Sequence, residues 1–186
     1  TVNGKNWLFS EALIGGPPDA DYVIGLKAAR IRADSNGFIE MLEDQTVGVS
    51  NIIFNYRRYG TDAITAAFVV EYSKDAGNSW FQIGAAITPT ASVLTFNEAL
   101  NQSGPVRIRI RYFSGTTSNS HRINIDNIQL CNFNNPQEIE VFGNATTVQN
   151  ASTITKLDNS TLFTSNYFVG DGTITKTFTV INRGTG

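Results

Sequence analysis

The sequence predicts an all-β protein, an antiparallel β-sandwich (jelly roll) followed by a smaller, partial β-unit, and three observations carry the sandwich. Apolar and polar residues alternate at period two, most clearly over Val106–Phe113. There Val106, Ile108, Ile110 and Tyr112 face one way and Arg107, Arg109 and Arg111 the other. Turn formers recur at short intervals, at Asp34-Ser35-Asn36-Gly37, Asp75-Ala76-Gly77-Asn78 and Asn101-Gln102-Ser103-Gly104-Pro105. The chain has 16 Gly and 12 Phe with only 16% charged residues, a turn-rich β composition, and no segment sustains a helical period.

Taken in order, Trp7, Leu8 and Phe9 predict a strand or a segment laid across a sheet edge. Lys27–Arg32 alternates and stops at the Asp34–Gly37 turn, and Phe38–Leu42 returns from it as the expected hairpin partner. Val49–Arg58 is long, with Val49, Ile53 and Asn55 assigned to one face and Ile52, Phe54 and Tyr56 to the other. Ala67–Ser73 and Trp80–Ala85 flank the turn at Asp75 and Gly77, and Val93–Leu100 follows. After Val106–Phe113, the strand Arg122–Leu130 closes the series with Ile123, Ile125, Ile128 and Leu130. About eight short strands at this spacing suit two packed sheets. The expected sandwich spans 1–131, a polar linker 132–137 follows, and 138–186 is a second β-unit. Strand-like runs in that unit are Glu138–Phe142, Thr153–Leu157 and Thr173–Ile181.

Charge and residue counts exclude several functions. A net charge of −2 gives no general attraction to nucleic acid. No apolar run approaches the roughly 20 residues that cross a bilayer, so no membrane insertion is expected. Cys131 is the single cysteine, which rules out a disulfide within the chain and a thiolate metal cluster. The single histidine, His121, sits in the turn-like Ser118-Asn119-Ser120-His121 and cannot build a multi-histidine metal site. Acidic residues are scattered through turns, without the paired carboxylates that glycoside hydrolysis needs. The expectation is a non-catalytic chain. Thr1-Val2-Asn3-Gly4 opens without a signal-like segment, so the chain reads as mature or as cut from a longer polypeptide. A secreted protein without disulfides points to bacteria.

The row Arg107, Arg109 and Arg111, with Arg58 and Tyr59 (and Arg57) taken to lie nearby, is the candidate ligand site. Guanidinium groups grip acidic glycans or phosphates bidentately. The alternative is that these arginines pair with carboxylates such as Glu71 and Glu40 on neighbouring strands.

Three stretches resemble known families. Ser73-x-Asp75-x-Gly77-x-Ser79-Trp80 resembles the Asp-box hairpin of sialidases and other secreted β-proteins, where it is a structural turn. That likeness implies that Trp80 folds back over its own turn. Arg122–Cys131 resembles the closing strand of MAM domains and jelly-roll carbohydrate-binding modules. With Ala28–Arg32 and Tyr59-Gly60-Thr61-Asp62, the whole run Ala28–Leu130 is similar to a jelly-roll accessory module of secreted Bacteroidetes-type proteins. The ending Thr175–Gly186 resembles the middle of a hydin-type Ig-like module, which implies that 138–186 is the N-terminal part of an Ig-like β-domain.

These resemblances imply a secreted or cell-surface accessory module that binds glycan, a cell-surface polymer or neighbouring domains of its parent protein. They also imply a structural Ca²⁺ held by Asp126, with Asp19, Asp21 or Glu11 completing an oxygen-ligand set. An ion pair or hydrogen bond from Arg30 or Arg122 is the competing arrangement for Asp126. The alternative functions are a polysaccharide-active hydrolase or lyase, and a structural stalk or adhesin segment.

Overall fold

Alternation gives each strand one apolar face, and the chain buries those faces by stacking two sheets over a shared core. The computed structural model describes residues 4–133, 139–148, 154–162 and 175–182. Its two compact units are Thr1–Phe133 and Asn134–Gly186. In the first unit one sheet runs in the order β1 (Trp7–Ser10), β4 (Phe38–Met41), β9 (Arg107–Gly115), β6 (Ala66–Ser73), β7 (Phe81–Ile87). The other runs β2 (Ala12–Gly15), β3 (Ala28–Ala33), β10 (Ser118–Asn132), β5 (Val49–Arg58), β8 (Leu94–Gln102). Neighbouring strands are antiparallel throughout. The fold is an all-β sandwich of jelly-roll type.

The core lies between the sheets. Ile39, Met41, Phe68, Ile108 and Ile110 from the first sheet meet Ile31, Ile52, Phe54, Ile123 and Ile125 from the second, all almost fully buried. Phe54 stacks on Phe96 with ring centroids 4.8 Å apart. On β9 the isoleucines point inward and the three arginines outward, as the alternation predicts.

Four expectations are corrected. Phe38–Met41 is not the hairpin partner of the strand before it: β3 pairs with β2 and β10, β4 with β1 and β9. The Asp34–Gly37 turn therefore carries the chain from one sheet to the other. Gly37 N–H donates to Asp34 O (2.8 Å), and a β-carbon on Gly37 would collide with the Arg32 carbonyl. Val49 faces the core with Ile52, because a register shift between Val49 and Asn51 moves it across the strand. Strand β2 adds to the single early strand expected at Trp7, Leu8 and Phe9. Strand β10 begins at Ser118, so His121 lies in a strand and not in a turn.

The second unit contains a three-stranded sheet ordered β12 (Thr146–Val148), β11 (Ile139–Gly143), β13 (Phe178–Asn182). Asn144 and Ala145 both have positive φ, the geometry of a tight two-residue hairpin turn. The expected strand at Thr153–Leu157 is absent over its described part, where residues 157–160 form turns, and Thr153 lies outside the described residues. The last strand starts at Phe178 and not near Thr173; residues 173 and 174 lie outside the described set. So do 134–138, which include most of the expected linker.

Candidate functional site

The outer face of the first sheet holds the arginine row, and each of its guanidinium groups is engaged. Arg109 and Arg111 both donate to Glu71, at 2.8–3.0 Å, and Arg107 Nε donates to Asp44 at 2.5 Å. Burial alone would raise the Glu71 carboxyl, but hydrogen bonds from Arg111 and Arg109 outweigh it and hold the group below its ordinary range. Arg109 also lies 4.1 Å over the ring of Trp80, whose indole N–H donates to Gly77 O at 2.9 Å. Trp80 thus folds back over its own turn, half-buried beneath an arginine. Asp75 organises that turn, accepting from Ser73 Oγ, Ser79 Oγ and Ser79 N–H.

Arg58 and Tyr59 are not part of this row. Arg58 ends β5 and Tyr59 follows it; β5 belongs to the opposite sheet, so the sandwich separates both from Arg107, Arg109 and Arg111. Arg58 Nη1 donates to Asp62 O, and the Tyr59 ring is flanked by Arg122 at 4.0 Å and Arg30 at 4.5 Å. Arg122 donates two side-chain hydrogen bonds to Asp62 (2.7 and 2.9 Å), which hold its guanidinium further into the charged range. Tyr22 covers Arg57 on the same face.

A flap, residues 16–27 between β2 and β3, lies over this second sheet. Gly60 N–H donates to Ala20 O, tying the flap to the turn after β5. Asn124, fully buried beneath it, donates to Asp21 Oδ1 at 2.7 Å and accepts from Tyr22 N–H at 3.1 Å. Asp126 accepts from the backbone N–H groups of Ile24 and Asn127. Asp19 and Asp21 turn instead to Arg30, at 3.8 and 3.5 Å. Among the described residues no three Asp, Glu, His or Cys side chains gather as a metal site. With Asp126 on backbone donors and Asp19 and Asp21 both facing Arg30, the three carboxylates are not gathered into the oxygen cage that calcium takes.

A cavity opens where the two edge strands β1 and β2 leave the sandwich unclosed. It is about 700 Å³, within the range typical of small-molecule sites. Trp7, Phe9 and Ile14 wall it, Ile125 and Ile128 line it from β10, and Asn6, Lys27, Asp126 and Asn127 bring polar groups to it. The Trp7 indole nitrogen is shielded from solvent and makes no hydrogen bond among the described residues. Asn127 has φ 55°, a left-handed conformation that asparagine tolerates, at the bulge between Asp126 and Gln129. From the cavity an amide row continues across the outer face of the second sheet. Gln129 donates to Asn127, Asn127 to Asn55, and Asn55 to Thr95. Asn51 donates to Asn97 one step further along, and Ile53 lies between the two pairs.

The sequence points to Asp126 as a site residue. It does not point to Trp7, Asn127 or the amide row, although the Asn51/Ile53/Asn55 alternation was the signal available. Elsewhere, His121 Nδ1 is buried and makes no hydrogen bond among the described residues.

No family model matches the sequence, and no curated protein does. Among solved structures the chain is similar to a variant of a family 29 carbohydrate-binding module, at TM-score 0.49 and 14% identity, covering 70% of this chain and 83% of that one. A second family 29 module aligns at TM-score 0.48 and 15% identity over 68% of this chain and 77% of that one. A variant complexed with mannohexaose aligns at TM-score 0.48 and 14% identity over 68% and 79%. Likeness at this level carries no conclusion about what this chain binds.

Proposed function

We propose that the first unit is a non-catalytic carbohydrate-binding module whose site is the cleft between β1 and β2 and the amide row that leads from it. The cleft carries this reading. Sugars present C–H faces and hydroxyl edges together, and are held by aromatic walls with a few placed polar groups. Trp7 and Phe9 supply the walls, the Trp7 N–H is a donor in want of an acceptor, and Asn127 joins the cleft to the amides on the open sheet. Amide side chains both donate and accept, which suits hydroxyl groups. The row is uncharged, and in the cleft Lys27 and Asp126 bring one charge of each sign, so the two together suit a neutral saccharide.

A module of this kind works outside the cell beside other domains. The reading of residues 138–186 as the first part of an Ig-like unit belongs to the same proposal, supported by the strand Phe178–Asn182 and the hairpin at Asn144-Ala145.

A glycan array probed with the whole chain, then with Asn127→Gly, tests the reading. Glycine keeps the left-handed backbone and removes only the amide. Neutral glycans retained by the wild type and lost by the variant, at an unchanged unfolding midpoint, support it. An array on which the wild type binds no glycan overturns it.

A further inference from the structure

We propose that a second pocket, on the outer face of β2, β3 and β10, binds the anionic group of an acidic saccharide on Arg30, Arg32 and Arg122 in place of Glu11. The saccharide frame rests on the carbohydrate reading above; the anion site rests on separate residues.

Register places the three cations together. Arg32 and Arg122 are direct cross-strand partners, and Arg30 is two residues along β3 on the same face. Like charges directly opposite each other destabilise a sheet, so this arrangement needs counter-anions. Arg122 has Asp62, and Arg30 has Asp19 and Asp21. Arg32 has Glu11, with Asp34 at 4.0 Å. The pocket, about 480 Å³, is lined by the three arginines against one carboxylate, that of Glu11. Leu13 gives it an apolar wall, and Asn119 brings an amide that already accepts from Arg32 Nη1 at 2.6 Å.

Donors remain for a ligand. Each guanidinium has five N–H groups. Among the described residues Arg122 Nη1 and Arg32 Nε make no direct hydrogen bond, and the two ion pairs of Arg30 are longer than hydrogen bonds. Glu11 is exposed, and its pair with Arg32 is of the surface kind that contributes little. Its φ is 44°, a left-handed backbone that a long side chain rarely adopts, while its carbonyl is fixed by Arg32 N–H at 3.0 Å. Backbone strain of this kind clusters at ligand clamps. Glu11 occupies the place of the ligand's anion, and an incoming carboxylate or sulfate exchanges with it.

Titration calorimetry at fixed low salt compares a galacturonate trimer, a sulfated galactan oligosaccharide and a neutral hexasaccharide chosen from the array. Wild-type chain, Glu11→Gln and Arg32→Gln are each titrated, with unfolding midpoints recorded. The expected result is that at least one acidic probe binds, that Glu11→Gln tightens it, and that Arg32→Gln weakens it about tenfold by loss of a charge-assisted pair. Neutral binding stays the same in both variants. The acidic probe that binds names the group as carboxylate or sulfate. Neutral binding without acidic binding overturns the pocket and leaves the carbohydrate reading standing; binding of neither removes both. Acidic binding that neither substitution changes also overturns the pocket.

Discussion

The carboxylate of Asp21 occupies the space that a side chain on Gly15 would fill. Asp21 is completely buried there, hydrogen-bonded by Asn124 and faced by Arg30, and through it the flap is seated on the second sheet. A methyl group at position 15 has no room unless the flap lifts. Gly15→Ala is therefore expected to destabilise the first unit by about 1–3 kcal/mol, as overpacking does. Urea denaturation measures this, and a midpoint equal to wild type would show that the flap does not rest on Gly15.

Glu71 is the common acceptor for Arg109 and Arg111, and its side chain is only 7% exposed. Glu71→Gln leaves two guanidinium groups facing a neutral amide, at a cost of about 3 kcal/mol from the broken pair. The pH dependence has a definite sign. The Glu71 carboxyl is depressed in the fold, so its contribution is present above its ordinary value of 4.5 and is lost as pH falls through the folded value. Glu40 opposes this: burial, only partly offset by Arg109 and Arg107, raises its carboxyl, so protonating it favours the fold. Removing Glu71 should flatten acid unfolding below about pH 4.5, and removing Glu40 should steepen it. Identical acid transitions in wild type and Glu71→Gln would contradict the pairing.

Asp75 gives a sharper titration. Hydrogen bonds from the Ser79 side chain, the Ser79 backbone and Ser73 depress its carboxyl from 3.8 to about 2. The stability it lends is complete above 3.8 and disappears as pH falls toward 2. Asp75→Asn should lower the unfolding midpoint at pH 7 and match wild type once the pH is below that window. A variant equally stable at pH 7 would remove Asp75 as the organiser of the turn.

Local features of this chain were legible and distant ones were not. The β9 alternation and the hairpin from Ser73 to Trp80 each involve residues only a few positions apart, so spacing alone carries them. Pairing of β3 with β10 joins residues about ninety positions apart, and no local pattern encodes it. For that reason Tyr59 was grouped with Arg107, Arg109 and Arg111, when its ring lies between Arg30 and Arg122. The cleft was invisible for the same reason: Trp7, Ile14, Lys27 and Asn127 meet only after the two edge strands are placed.

Thermal unfolding tests whether Asp126 holds calcium. Asp126 already accepts from two backbone N–H groups while Asp19 and Asp21 face Arg30. Excess calcium added to chelated protein is therefore expected to leave the midpoint unchanged, because only a bound ion stabilises by mass action. A rise in the midpoint that disappears in Asp126→Ala would place an ion there.

The central claim is that saccharide lies in the cleft between β1 and β2 and along the amide row, and not on the arginines of β9. Chemical-shift mapping by NMR, with a neutral hexasaccharide selected on the array, tests it most directly. The account predicts that the Trp7 indole N–H, the Asn127 backbone amide and the side-chain amides of Asn55 and Asn97 move together on titration. Shifts confined to the Trp80 indole and to Arg107, Arg109 and Arg111 would contradict it.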